Sequence, residues 1–579
     1  MARPLFPIPR LEQFARRLSE QFQNDTPLRA WVILSFTWLV MGVLHFSLMY
    51  MTWLPRAISG DSVFHFIYLR SAVFDGDLDF TNEFRHFQTD PASSPFYNNP
   101  TGKPGNIWAI GPALFWMPAY LVAAGLESLG QPSGPAGYST ALQMSVYLAD
   151  SFLGLLGIVL TFQFLRGFFS YQNSLLAALS ILLCSSATYY FWCSAPVAHN
   201  ASLFASALLF FLITRKTSLF WTGMVAGLLV CTRWQAALWI PLLVLFLLWE
   251  GKVRTLRNLI VLGAGMLLGV SPQLVAFKLI YGAFLFNPGI SQPFGFVWEN
   301  VWLILFSTNH GLFLWHPLLI LAIPGWTKAW GPFQRWILLL GILFVVQVVI
   351  NATRVDPNAS WSFGHRRFDM LLPAFAFGIA AFIQYSKPWV QKGFPALLIL
   401  LAVWNQLFIF QFQHGLIPRS TGLTFREFVT AKFTLWKEFD SRTQSLMVFE
   451  NLRNGEFPSF VIGTDRLYKQ NPEFRCIPEM YALSCLMRED YQSGRAIFHS
   501  LHARFPDNPL FAHGLLTCLW KTGARDQAAA LLKTIPQTQP SLLNIEPNGL
   551  PPASEHEPVL KHGYFERYIR WLSDKISYE

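Results

Sequence analysis

Charge is what this sequence has least of. Only 13% of its 579 residues are Asp, Glu, Lys or Arg, where soluble domains run nearer about a quarter. That excludes an ordinary soluble domain and a charge-rich disordered chain. Cysteine is scarce too, with six in all and no CxxC pair, so a disulfide scaffold, a zinc ribbon and a thioredoxin-like site are not expected. The chain has neither a P-loop nor a dinucleotide fingerprint. No cluster of histidines and acids has metal-ligand spacing. The first thirty residues are polar and basic, so no cleavable signal peptide is expected.

What is there instead is apolar. Hydrophobic residues make up 53% of the chain and aromatic ones 16%, a composition suited to a bilayer and its interfaces. Runs of spanning or near-spanning length lie at about 31–53, 141–165, 174–193, 200–214, 219–232, 235–249, 258–280, 313–327, 335–352, 368–385 and 393–412. The expected fold is all-α: a polytopic transmembrane bundle of about eleven spans. A further apolar stretch, 107–128, carries Pro112 and Pro118 and is read as a re-entrant or juxtamembrane helix.

The parity of that stretch follows from charge. If it does not cross, fifteen basic and four acidic residues share one side with the N-terminus, a balance of +11 against +10 for the whole chain. Excess Lys and Arg mark cytoplasmic loops. The basic surplus is therefore a topology signal, and nucleic acid is not an expected partner. The N-terminus is expected in the cytoplasm of an inner-membrane protein, with the first large loop, 54–140, and everything beyond about 413 outside. Residues 1–30 are expected to form a cytoplasmic leader, with Leu11, Phe14, Leu18 and Phe22 on one face of a surface helix.

The tail divides into a connector, 413–474, and a helical-repeat domain, 475–579. Pro506 and Pro540 stand 34 residues apart, and on that offset Tyr491 matches Arg525, Gly494 matches Ala528 and Phe498 matches Leu532. This resembles tetratricopeptide repeats, except that Gly494 sits where Ala is usual. Stacked repeats bind peptides or partner proteins, and Tyr564–Ile576 is a candidate cap. A domain that only stabilises the membrane part is the alternative.

Candidate chemistry lies on the outer face, where loops are long enough to build a site. Asp61 follows the first span directly, and Asp75, Asp77, Asp79 and Glu83 follow within the same loop. A carboxylate at the membrane surface suits a general base, while acids that cap turns and helices are the structural alternative. Arg366 and Arg367 enter the tenth span from outside, against the positive-inside bias, and a guanidinium fork suits an anion such as phosphate. Lipid-headgroup snorkelling or pairing with Asp369 would also explain them. Arg233 and Gln235 sit at the tip between two short apolar segments; His199 and His310 lie at loop rims.

Taken in order, these features resemble the GT-C superfamily of integral membrane glycosyltransferases. The similarity is to bacterial relatives of protein O-mannosyltransferases and of the lipid A aminoarabinose transferase. It covers residues 30–415 and rests on Gly60-Asp61, Asp75-Gly76-Asp77-Leu78-Asp79 with Asn82-Glu83, and Asn106-Ile107-Trp108 with Ile110-Gly111-Pro112. Further on it rests on Thr232-Arg233-Trp234-Gln235, His310-Gly311-Leu312-Phe313, and Ser362-Phe363-Gly364 with Arg366-Arg367-Phe368. The resemblance implies transfer of a sugar from a polyprenyl-phosphate donor to a protein or glycan acceptor, with Asp61 as catalytic base. Arg233, Gln235, His310, Arg366, Arg367, Asp77, Glu83 and His199 would bind substrate. No cofactor is expected, although other branches use a divalent cation. One departure is Ala198-His199-Asn200, where relatives often carry an acid. A transporter or flippase of lipid-linked sugars, and a non-catalytic envelope assembly protein, are the competing functions.

Overall fold

A computed structural model describes residues 26–58 without 51–57, 60–87, 99–130, 136–285 without 195 and 216, and 295–413 without 355, 360 and 361. Beyond these it describes 417, 422–433, most of 444–532 and Tyr568. The leader up to residue 25 lies outside the described residues, as does the candidate cap apart from Tyr568.

Among the described residues every regular element is helical. The chain divides into two units, residues 1–410 with 419–425, and residues 411–418 with 426–579. Among the described residues six helices are long and apolar enough to cross a membrane: Pro27–Ser47, Thr140–Leu165, Leu256–Tyr281, Trp330–Ala352, Arg366–Gln384 and Pro388–Gln413. Each coincides with one of the eleven expected segments. The other five are shorter or broken. Tyr171–Leu183, Ala198–Thr214 and Leu219–Thr232 run 13 to 17 residues, about 20–26 Å at 1.5 Å per residue, against about 30 Å of hydrocarbon.

The breaks have local causes. The expected 174–193 run stops at Leu183 and restarts as Ala187–Trp192. Between them the Ser185 hydroxyl accepts from the Ala187 amide at 3.1 Å, taking the place of a backbone bond. The 313–327 run becomes Leu312–Trp315, a 3₁₀ turn at Pro317–Leu321 and Ala322–Lys328, because Pro317 has no amide to continue the helix. The 107–128 stretch is one helix, Gly111–Glu127, of 17 residues with Pro118 inside.

Two helices are locked by small residues. Gly223 and Gly227 on Leu219–Thr232 face Gly265 and Gly269 on Leu256–Tyr281. A methyl at any of the four would strike a backbone carbonyl of the other helix. This is the close approach that small-xxx-small spacing permits in membranes. It fixes the end of the first helix, which carries Arg233.

The second unit is a helical hairpin array with its own core. Tyr491–Arg504 and Arg525–Leu532 begin 34 residues apart, as the repeat offset requires. Gly523, at φ +78°, turns the chain between Pro509–Lys521 and Arg525–Leu532. At Gly494 a Cβ would lie 3.0 Å from Cys518 Sγ, so the departure from Ala makes room for that thiol. The core takes in Phe449, Leu452 and Phe460, upstream of residue 475, and Tyr568, whose hydroxyl donates to the Glu479 carbonyl at 2.9 Å.

Candidate active site

Gly60 precedes the helix Asp61–Arg70 with φ +57°, a left-handed value that glycine adopts without strain. The turn sets Asp61 in the first helical turn, where the N-terminal dipole favours a carboxylate. Arg366 Nη1 donates to Asp61 Oδ2 at 3.0 Å across 305 positions of sequence. The side chain of Asp61 remains 41% exposed, so the carboxylate is both held and accessible.

The approach to Arg366 is a built scaffold. The Phe363 amide donates to the Tyr190 hydroxyl at 3.0 Å. Gly364 has φ +61°, and any Cβ there would strike the His316 ring. The 3₁₀ stretch Arg366–Leu371 follows. It divides the two arginines: Arg366 reaches Asp61, whereas Arg367 donates to the Asp356 carbonyl at 2.6 Å.

Arg233 leaves the end of Leu219–Thr232 in extended conformation, and its guanidinium meets the ring of His199. His199 Nδ1 also stands 2.9 Å from Asp369 Oδ2. The other oxygen of Asp369 accepts from the Ser186 hydroxyl at 2.5 Å. Asp369 thus backs His199, and the ion-pair contacts of Arg366 and Arg367 go to other acids. Gln347 Nε2 donates to Gln235 Oε1 at 2.9 Å and to the Arg367 carbonyl at 2.7 Å, tying those two 3₁₀ segments of the wall together.

Asp61, His199, Arg233, Gln235, Arg366 and Arg367 line one open cleft of about 260 Å³. Arg354 adds a fourth guanidinium, so among the described residues four arginines and one aspartate line the cleft. His65, Trp108 and Trp234 complete its rim. Burial pushes the His65 imidazole down to about 4, so it is neutral near pH 7. Gly111 lets this wall close, because a Cβ there would strike the Cys231 carbonyl just before Arg233.

Three expected site residues stand elsewhere. Asp77 accepts from the Ser71 hydroxyl at 2.9 Å and from the Asp79 amide at 3.0 Å, closing a turn. Glu83 is fully buried and accepts from Arg70 at 2.8 Å. Burial pushes its carboxyl up to about 7 against the pull of Arg70. Asp75 meets the same guanidinium and accepts from Asn82 at 2.8 Å. His310 is buried at φ +63°, its ring 4.6 Å from that of Trp315, outside the cleft lining.

Arg354, Trp108 and Trp234 were not among the expected site residues. Arg354 had a usable signal, a further cation in the short outer loop before Arg366. The two tryptophans lie inside motifs already quoted, beside residues that were expected. Among the described residues no three His, Cys, Asp or Glu side chains are placed to hold one metal ion.

A tetratricopeptide-repeat family matches residues 486–542, in agreement with the repeat read from the tail. No curated protein and no solved structure matches the chain.

Proposed function

We propose that the chain is a membrane glycosyltransferase of the GT-C type, taking its sugar from a polyprenyl-phosphate donor. The observation that carries this is the cleft itself: four guanidinium groups beside one accessible carboxylate, at the ends of apolar helices. Forks of that kind bind phosphate oxygens, and a lipid carrier presents its phosphate next to its own apolar tail. The short helices complete about eleven crossings, with the N-terminus cytoplasmic and the cleft and tail outside.

The chemistry is one displacement. The acceptor hydroxyl oxygen bonds to the anomeric carbon as its proton passes to Asp61. The bond from that carbon to the phosphate oxygen breaks, and its electron pair leaves with the polyprenyl phosphate. Arg366 and Arg233 stabilise the charge that develops there, and the configuration inverts. Arg366 holds Asp61 in the resting site; a phosphate entering the cleft competes for the same guanidinium and frees the carboxylate. The tail repeats recruit a protein partner or acceptor, as such repeats commonly do.

The test is purified protein in liposomes with labelled glycosyl polyprenyl phosphate and membrane acceptor. Transfer of label with inversion supports the reading. Movement of intact lipid-linked sugar across the bilayer without transfer would identify a flippase and end it.

A further inference from the structure

The cleft has an aromatic side that the charge chemistry does not use. Trp108 stacks on Phe64 with ring centroids 3.8 Å apart and planes 4° from parallel. Trp234 stacks on Phe277 at 5.3 Å and 19°. Trp234 Nε1 donates to the Ile107 carbonyl at 3.2 Å, which joins the two ring pairs and fixes the indole's orientation. Both indoles line the cleft, and Trp234 is 38% exposed. Each is backed on one face by phenylalanine, so the opposite face is the one left for a ligand.

Their places matter as much as their stacking. Phe64 lies three residues after Asp61 on the same helix, so it shares a face with the base. Trp234 follows Arg233 directly. A reacting carbon held between the base and the phosphate-binding arginines carries its ring into the space these two indoles border.

We propose that Trp108 and Trp234 form a stacking platform for the pyranose ring of the donor and set the preference for a glycosylated over a bare lipid phosphate. The inference rests on the glycosyltransferase reading and deepens it. A pyranose offers a face of C–H bonds carrying slight positive charge, and the indole face is electron-rich, so the two attract as aromatic edges do. The arginines read the phosphate common to both lipids. The indoles read what only one of them has.

The experiment uses the full-length protein in nanodiscs and competition binding with two probes, polyprenyl phosphate and its hexosyl derivative. Trp108→Leu and Trp234→Leu keep an apolar side chain while removing the π face. Melting temperature is measured alongside, and Trp→Phe variants at both positions serve as the rescue. Wild type should favour the hexosyl lipid. Each Leu variant should lose about five-fold of that preference, with bare-lipid affinity unchanged and the Phe variants close to wild type. In transfer, the loss should fall on KM more than kcat, because stacking is present in both ground and transition states. Equal weakening toward both lipids would assign the indoles to the isoprenoid chain and overturn the proposal, as would no change. Wild type with no preference for the hexosyl lipid would also overturn it. If wild-type protein binds neither lipid, the glycosyltransferase reading fails with it; if wild type transfers sugar and the Leu variants keep the preference, the platform alone fails.

Discussion

Two carboxylates of the first loop, Asp61 and Glu83, stand 22 positions apart and live in opposite surroundings. Glu83 is sealed from solvent and shares Arg70 with Asp75, a partner from its own loop. That guanidinium also lies 4.6 Å over the Tyr138 ring. Asp61 is half exposed and takes its partner from 305 positions further along the chain. A local, buried ion pair shapes a loop. A distant, open one brings together parts of a site. The acids are alike in sequence, and the origin of the partner is what separates their work.

The comparison breaks first at activity. Asp61→Asn keeps the size of the side chain and removes proton acceptance. Transfer should fall by about two to four orders of magnitude, as loss of a general base does. Asp77→Asn should remain within a few-fold of wild type. Equal losses, measured as turnover at saturating donor, would erase the distinction.

Stability should separate the cations the other way. Arg70→Gln leaves the buried Glu83 carboxyl without its hydrogen-bond partner, and a buried polar group so stranded costs about 1–3 kcal/mol. A marked drop in melting temperature or in folded yield is expected. Arg366→Gln leaves Asp61 in contact with water, so its melting temperature should stay near wild type while transfer suffers.

A finer contrast lies between the adjacent arginines. Arg366→Lys should reduce transfer by about ten-fold, since a point charge does not reproduce a fork. Arg367 spends its guanidinium on Asp356, so Arg367→Lys should have the smaller effect on donor affinity. Identical kinetics in the two variants would show that neither fork reads the phosphate.

The smallest expected effect is in pH. Glu83 is held up to about 7 in the folded protein, above its ordinary 4.5, by burial. Between those values the folded chain binds the proton more tightly than the unfolded one. The contribution of this carboxyl is fully present below pH 4.5 and is lost as pH rises through 7. The difference in melting temperature between wild type and Glu83→Gln should therefore shift in favour of the variant from pH 5 to pH 8. A flat difference would mean that Glu83 stays ionised throughout.

Part of this was legible in the sequence. Asp61, Arg366 and Arg367 are conspicuous because charge is scarce beside apolar runs, and Arg233 because it ends one. The 34-residue offset in the tail located the helix starts at Tyr491 and Arg525. Composition gives the existence of an apolar run and not the length of its helix, which is why Ser185 and Pro317 interrupt segments that read as continuous. It also leaves Glu83 undivided from Asp75, Asp77 and Asp79. The burial of Glu83 depends on Arg70, and the backing of His199 depends on Asp369, which arrives from 170 positions away. Nothing in the local sequence around His199 shows that acid.

The most direct test of the central claim is a map of the protein bound to a non-transferable hexosyl polyprenyl phosphate. The account predicts the phosphate within hydrogen-bond reach of Arg366 and Arg233, with the anomeric carbon facing Asp61. A lipid phosphate seated elsewhere, with the Asp61–Arg366 pair intact and the cleft empty, would contradict it.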